Sequence, residues 1–129
     1  MTQINDQRYN NKFDSNTTVG EMKNAVLDFA RRRNWERYHQ PKHLAMSIAI
    51  EAAEIMEHFQ WLGEQESTEI MNRPEVKAEV AEEMADVLMY LMEFANASGI
   101  DLVEAYFAKL SKNERRFPED EDWKAKWES

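Results

Sequence analysis

Lys42-His43-Leu44-Ala45-Met46-Ser47-Ile48-Ala49-Ile50-Glu51-Ala52-Ala53-Glu54-Ile55-Met56-Glu57-His58-Phe59-Gln60-Trp61-Leu62 reads as one long helix, rich in Ala, Ile and Met. Pro41 stands where a helix can open without losing a needed N–H, and Gly63 stands where one can stop. Near the middle lie Glu51 and Glu54, whose spacing puts them on one side of the helix. Their neighbours Ile48, Ala49, Ala52, Ile55 and Phe59 are apolar. A carboxylate beside such a stripe is costly unless it is paired or bound to a metal. A second pair, Glu83 and Asp86, has a similar setting on the next long helical stretch. Two such pairs face to face make a pocket with up to four negative charges.

Outward from this stretch the chain signals few turns. Gly and Pro number 3 each in 129 residues, which favours long helices over many short strands. Residues 1–16 are polar and are expected to form a loose or disordered arm. Thr18-Val19-Gly20-Glu21 fits a capping box, and Val19, Met22, Val26, Phe29 and Ala30 follow at helical spacing. This first helix should end near Arg33 to Trp35. The central helix should run to Leu62, and Glu64 to Arg73 reads as a polar connection. Pro74 should open a third helix with the stripe Val76, Val80, Met84, Val87, Leu88, Leu91 and Ala95, and Gly99 should close it. Asp101-Leu102-Val103-Glu104 is a second capping box, and a fourth helix runs from it until Pro118 forbids more.

Four helices on short connections predict an all-α, four-helix bundle over residues 17–118, with the second and third helices packed together. The tail 119–129 is charged but holds Trp123 and Trp127, four apart. With 8 Met and so much apolar helix surface in a short chain, some of that surface should be buried between subunits.

Composition removes several function classes. With 0 Cys, there are no disulfides, thiol nucleophiles or cysteine zinc sites. The net charge of −9 argues against holding a nucleic-acid polymer over a broad surface. No signal-peptide or membrane-spanning run is evident, so a cytoplasmic protein with no membrane partner is expected. Oxygen-only ligands select hard cations, and Mg²⁺ often shares its shell with substrate phosphates. Acids three residues apart are also common on solvated helix faces, so it is the second pair and the apolar flanks that single these out. A di-iron bundle would want two Glu-x-x-His motifs on core helices. Glu36-Arg37-Tyr38-His39 alone has that spacing, at a helix end.

Glu51-Ala52-Ala53-Glu54, then His58-Phe59-Gln60-Trp61, then Glu82-Glu83-Met84-Ala85-Asp86-Val87-Leu88-Met89-Tyr90 resemble the all-α MazG-like nucleoside triphosphate pyrophosphatases, in particular their single-domain dCTP pyrophosphatase type. Arg33-Asn34-Trp35-Glu36-Arg37-Tyr38-His39-Gln40-Pro41-Lys42 and Lys109-Leu110-Ser111-Lys112-Asn113-Glu114-Arg115-Arg116-Phe117-Pro118 extend the match from about Val19 to Pro118, in the family's order. The resemblance implies hydrolysis of a (deoxy)nucleoside triphosphate, dCTP or a modified dCTP, to the monophosphate and pyrophosphate with Mg²⁺, Mn²⁺ being able to substitute. It implies Glu51, Glu54, Glu83 and Asp86 as metal ligands and catalytic carboxylates. By the same carry-over, Lys109, Asn113 and Arg116 contact phosphates or sugar. Trp35, Trp61 and Tyr90 lie near the nucleoside, and His39 and Lys42 near the same pocket.

Each of these has a plainer reading on its own. Trp61 can be a core plug, Tyr90 a bundle anchor, His39 a loop or capping residue, and Lys109 and Arg116 solvated charges. The sequence departs from the family's pattern at Asn34, His43 and Phe117, where Asp, Asn and Tyr are expected. The resemblance also implies a homo-oligomer, a dimer or a dimer of dimers. The competing reading from another class is a non-catalytic helical assembly module whose acids bind a cation or a partner.

Overall fold

The structure is a computed structural model, and it describes residues 6–120. The first five positions of the arm and the tail positions Trp123 and Trp127 lie outside the described residues. The described chain is all-helical, with five α-helices. These are α1 (Val19–Arg32), α2 (Pro41–Glu57), α3 (Glu64–Ile70), α4 (Pro74–Ser98) and α5 (Leu102–Arg116). Two single 3-10 turns, Gln7–Tyr9 and Glu36–Tyr38, precede α1 and α2. Among the described residues no helix is long and apolar enough to cross a membrane.

The described chain divides into two compact units, one ending at Gly99 and one beginning at Ile100. In the first, α4 is the central element, with α2 as its main neighbour and α1 also packed on it. Its buried apolar residues are Val26, Ala30, Leu44, Val80, Met92 and Ala95. The Asn96 side-chain amide donates to the Lys23 carbonyl at 3.0 Å and ties α4 to α1. The second unit contains α5, whose first turn is capped by the Asp101 carboxylate accepting from the Glu104 amide at 2.9 Å.

Local signals explain most boundaries. Thr18 and Glu21 form the reciprocal capping box, each side chain on the other's backbone amide. Pro41 and Pro74 occupy first helical turns. Gly99 closes α4 in the left-handed region at φ 66°. Between α1 and α2, Asn34 adopts φ 56°, a conformation Asn tolerates better than most residues. The chain thereby turns back, so that the Trp35 amide reaches the Ala30 carbonyl at 2.9 Å and the Trp35 ring meets the Phe29 ring edge-on at 5.6 Å.

Three expectations need correction. The central helix ends at Glu57, not Leu62, because the amides of His58 and Phe59 turn back three residues to the carbonyls of Ile55 and Met56. Gly63 is not its stop: it has extended backbone, φ −72° and ψ 171°, and stands at the N-terminal cap of α3. The supposed polar connection is α3 itself, whose early Glu64 and Glu66 suit a helix N-terminus, so there are five helices where four were expected. Third, Met84, Leu88 and Leu91 of the expected α4 core stripe are at least 39% exposed in the single chain. The face of α4 turned inward carries Glu83, Asp86, Tyr90 and Glu93 instead, none of them exposed.

Candidate active site

The acidic pairs come from the two helices that pack most closely, α2 and α4. Glu51 and Glu54 share a turn of α2, and Glu83 and Asp86 share a turn of α4. Partial burial is the first cause that pushes the Glu51 carboxyl above its ordinary value. The charge of Glu54, a hydrogen bond between the Glu51 and Glu54 side chains, and the charges of Asp86 and Glu83 add to it. Glu51 therefore feels the charges of Glu54 on its own helix and of Glu83 and Asp86 across the α2–α4 contact. Among the described residues, no three His, Asp or Glu side chains are gathered into a ready metal cage. The donor set still fits a hard divalent cation, since oxygen ligands on two packed helices carry a repulsion that a cation relieves.

His58, just past the end of α2, has its Nε2 2.7 Å from Oε2 of Glu83. This contact holds one of the four carboxylates from the outside. Reading the sequence placed His58 only within a motif and gave it no role.

A cavity of about 570 Å³ adjoins the cluster. Asp86 lies on its wall, with Phe29, Trp35, His39, Tyr90 and Glu93. A smaller cavity of about 250 Å³ shares Trp35, His39 and Tyr90 with it and reaches Ser47. Burial is the main cause that raises the Tyr90 hydroxyl above its ordinary value, with Glu51, Glu93 and Asp86 adding charge, while a hydrogen bond with Ser47 opposes the shift. Tyr90 thus bridges the acidic cluster and the aromatic cavity. Burial likewise raises the Glu93 carboxyl, and His39, with Nε2 3.7 Å from Oε2 of Glu93, pulls it back.

Of the residues expected at the nucleoside, Trp35, His39 and Tyr90 line this space. Lys42 is exposed on the first turn of α2. Trp61 is 86% exposed in the turn after α2, so the core-plug reading is wrong. Lys109, Asn113 and Arg116 recur at helical spacing along one face of α5. The guanidinium of Arg116 lies over the Phe117 ring, 5.0 Å from its centre. Sequence reasoning missed Glu93 and Ser47. The usable signal was the series Glu83, Asp86, Tyr90 and Glu93, spaced three, four and three, which marks a single polar face.

The chain is 34% identical over 106 residues to dCTP pyrophosphatase 1 of Bos taurus, covering 82% of this chain and 63% of that protein. It is equally 34% identical to dCTP pyrophosphatase 1 of Homo sapiens, over 82% of this chain and 62% of that one. It therefore spans less than two thirds of the length of these relatives. A crystal structure of a pyrophosphatase from Archaeoglobus fulgidus superposes with a TM-score of 0.74 at 40% identity, covering 84% of this chain and 100% of the other. The MazG-like family matches residues 46–128, a span that begins before the first acidic pair and contains the second. The chain belongs to the MazG-like family.

Proposed function

We propose that this chain is a Mg²⁺-dependent nucleotide pyrophosphohydrolase that splits dCTP, or a modified dCTP, into the monophosphate and pyrophosphate. The observation that carries the reading is that Glu51 feels the charges of Glu54, Glu83 and Asp86, beside an aromatic-walled cavity lined by Asp86 and Tyr90. The choice of dCTP leans on the names of the mammalian relatives. In the reaction a water oxygen bonds to the α-phosphorus and gives up a proton to solvent, the bond from the α-phosphorus to the α–β bridging oxygen breaks, and pyrophosphate leaves with the electron pair.

Glu51, Glu54, Glu83 and Asp86 would hold the Mg²⁺, with Mn²⁺ as a substitute. Once bound, the ion supplies positive charge against the phosphates and makes a nearby water a better nucleophile. His58 holds Glu83 in place through their 2.7 Å contact. Tyr90, fastened to Ser47, keeps its ring between the carboxylates and the cavity. Trp35 offers a flat face to a base. Lys109, Asn113 and Arg116 have the chemistry to grip phosphate, the guanidinium by paired hydrogen bonds. The same reading places the protein with the cytoplasmic nucleotide pool. It also makes the protein a homo-oligomer, because Met46, Ile50, Met56 and Met84 leave apolar side chains more than half exposed in the single chain.

A panel of dNTPs and NTPs with Mg²⁺, scored separately for pyrophosphate and single phosphate, tests the proposal. Pyrophosphate release with dCTP preferred, lost in Glu51→Gln and Asp86→Asn, is expected. No turnover of any nucleotide, or turnover unchanged in those variants, overturns the enzyme and leaves the assembly module. Release of single phosphates overturns the stated bond cleavage.

A further inference from the structure

Glu93 is a buried acid that the proposed chemistry does not use. Its side chain is 9% exposed, and it is the charged residue among the buried ones of the described chain. It lies one turn beyond Tyr90 and two turns beyond Asp86 on the same face of α4, and it lines the larger cavity with both. Among the described residues its partner is His39, at 3.7 Å, which is too far for a hydrogen bond. No buried side-chain oxygen or nitrogen among the described residues lacks a partner, so the Glu93 oxygens are not sealed in protein but open to the cavity.

Such an arrangement is expensive for a merely structural residue. A carboxyl mostly withdrawn from bulk water, its oxygens reaching only the cavity and no protein donor, costs stability that an apolar side chain of similar size would not. A group of this kind is accounted for when a ligand brings the missing donor.

Position says which part of a nucleotide arrives there. From Asp86 to Glu93 is seven residues, about 10 Å along the helix axis. Phosphates held at the Asp86 end put the sugar near Tyr90 and the far edge of a pyrimidine near Glu93. The walls between are the rings of Tyr90, Trp35 and Phe29, suited to a flat heterocycle.

We propose that Glu93 is a specificity-determining residue that accepts a hydrogen bond from the exocyclic amino group of an aminopyrimidine base. This deepens, and rests on, the pyrophosphohydrolase reading above. The donor pattern supports the choice of base. As a carboxylate, Glu93 can only accept, and it accepts from the amino group through either oxygen. A 4-oxo pyrimidine turns an acceptor toward the same place, and an ionised Glu93 repels it. The cavity therefore favours cytosine over uracil and thymine.

The test measures kcat/KM of the full chain with Mg²⁺ on dCTP, on dUTP and on the dCTP analogue whose 4-amino group is replaced by hydrogen. Wild type should prefer dCTP to both others by about ten- to a hundredfold, the range of a hydrogen bond to a charged group. Glu93→Met should lose that factor on dCTP and little on the analogue, so the two substrates become nearly equal. In Glu93→Gln the amide can turn its N–H toward a 4-oxo group, and the preference for dCTP over dUTP should fall. Losses in parallel on all three substrates overturn the proposal, because a structural role lowers them together. Equal turnover of dCTP and the amino-free analogue by wild type overturns it without any variant having to fold. No pyrophosphate from wild type with any nucleotide overturns the parent reading instead.

Discussion

At Glu51 the competing effects can be weighed through a single titration. Partial burial and the charges of Glu54, Asp86 and Glu83 raise its carboxyl above the ordinary value of 4.5. The folded metal-free protein thus binds this proton more tightly than the unfolded chain does. The contribution to stability is fully present below about 4.5 and is lost as pH rises through the raised value. Thermal melts in a chelator should show wild type falling progressively behind Glu51→Gln as pH increases, with the two converging in acid. Mg²⁺ at about a hundred times its dissociation constant should restore wild type by about 2.7 kcal/mol at neutral pH and leave the variant nearly unmoved. Melts that stay parallel at every pH would remove Glu51 from the acidic cluster. The four acids of this cluster were readable in the sequence because each pair interrupts an apolar run at helical spacing. Glu93 shares their face by its spacing, but between Met92 and Phe94 nothing marks it as buried among 25 acids. Its burial depends on how α4 is rotated against α1 and α2, which no local pattern contains. The departure at Asn34 proves slight for the backbone: its left-handed turn suits Asn, and Asp tolerates that conformation as well.

Helix ends show where local chemistry decides and where it does not. Gly99 caps α4 at φ 66°, and a β-carbon added there would meet nothing within 4 Å. Gly99→Ala should therefore cost only the backbone penalty, about 1 kcal/mol, visible as a lower denaturation midpoint with an unchanged slope. A much larger loss would mean that a packing contact at this position had been overlooked. Gly99, Pro41, Pro74, Thr18 and Asp101 act through their own backbone or the adjacent turn, and sequence alone located them. Gly63 misled because a glycine after an apolar run serves equally as a helix stop or as the start of the next helix. The decision fell earlier, at His58, whose side chain is engaged with Glu83 on another helix. Contact across 25 positions is tertiary, and periodicity within α2 cannot show it. The exposed Met84, Leu88 and Leu91 have the same origin, since the apolar run on α4 does not tell which of its faces turns to α1 and α2.

For the molecule as a whole, apolar surface outruns what one chain covers. In the first unit, Met46 and Ile50 stand one turn apart on α2, 55% and 59% exposed. In the second, Val103, Tyr106, Phe107 and Leu110 on α5 are 43% exposed or more. Ile50→Lys should shift an assembled species toward monomer in sedimentation velocity while the helical circular dichroism is kept. Wild type sedimenting as a monomer at micromolar concentration would end the homo-oligomer reading.

The four methionines Met46, Met56, Met84 and Met89, each at least 45% exposed, carry a consequence of their own. An accessible thioether is readily oxidised to the sulfoxide, which turns a pliable apolar side chain into a polar one. Copies joined through this surface would shield these thioethers, so peroxide would reach them first in dissociated chains and hinder their joining. Mild oxidative stress would then weaken association before it reaches the buried Met92, and enzymatic reduction of the sulfoxides would restore it.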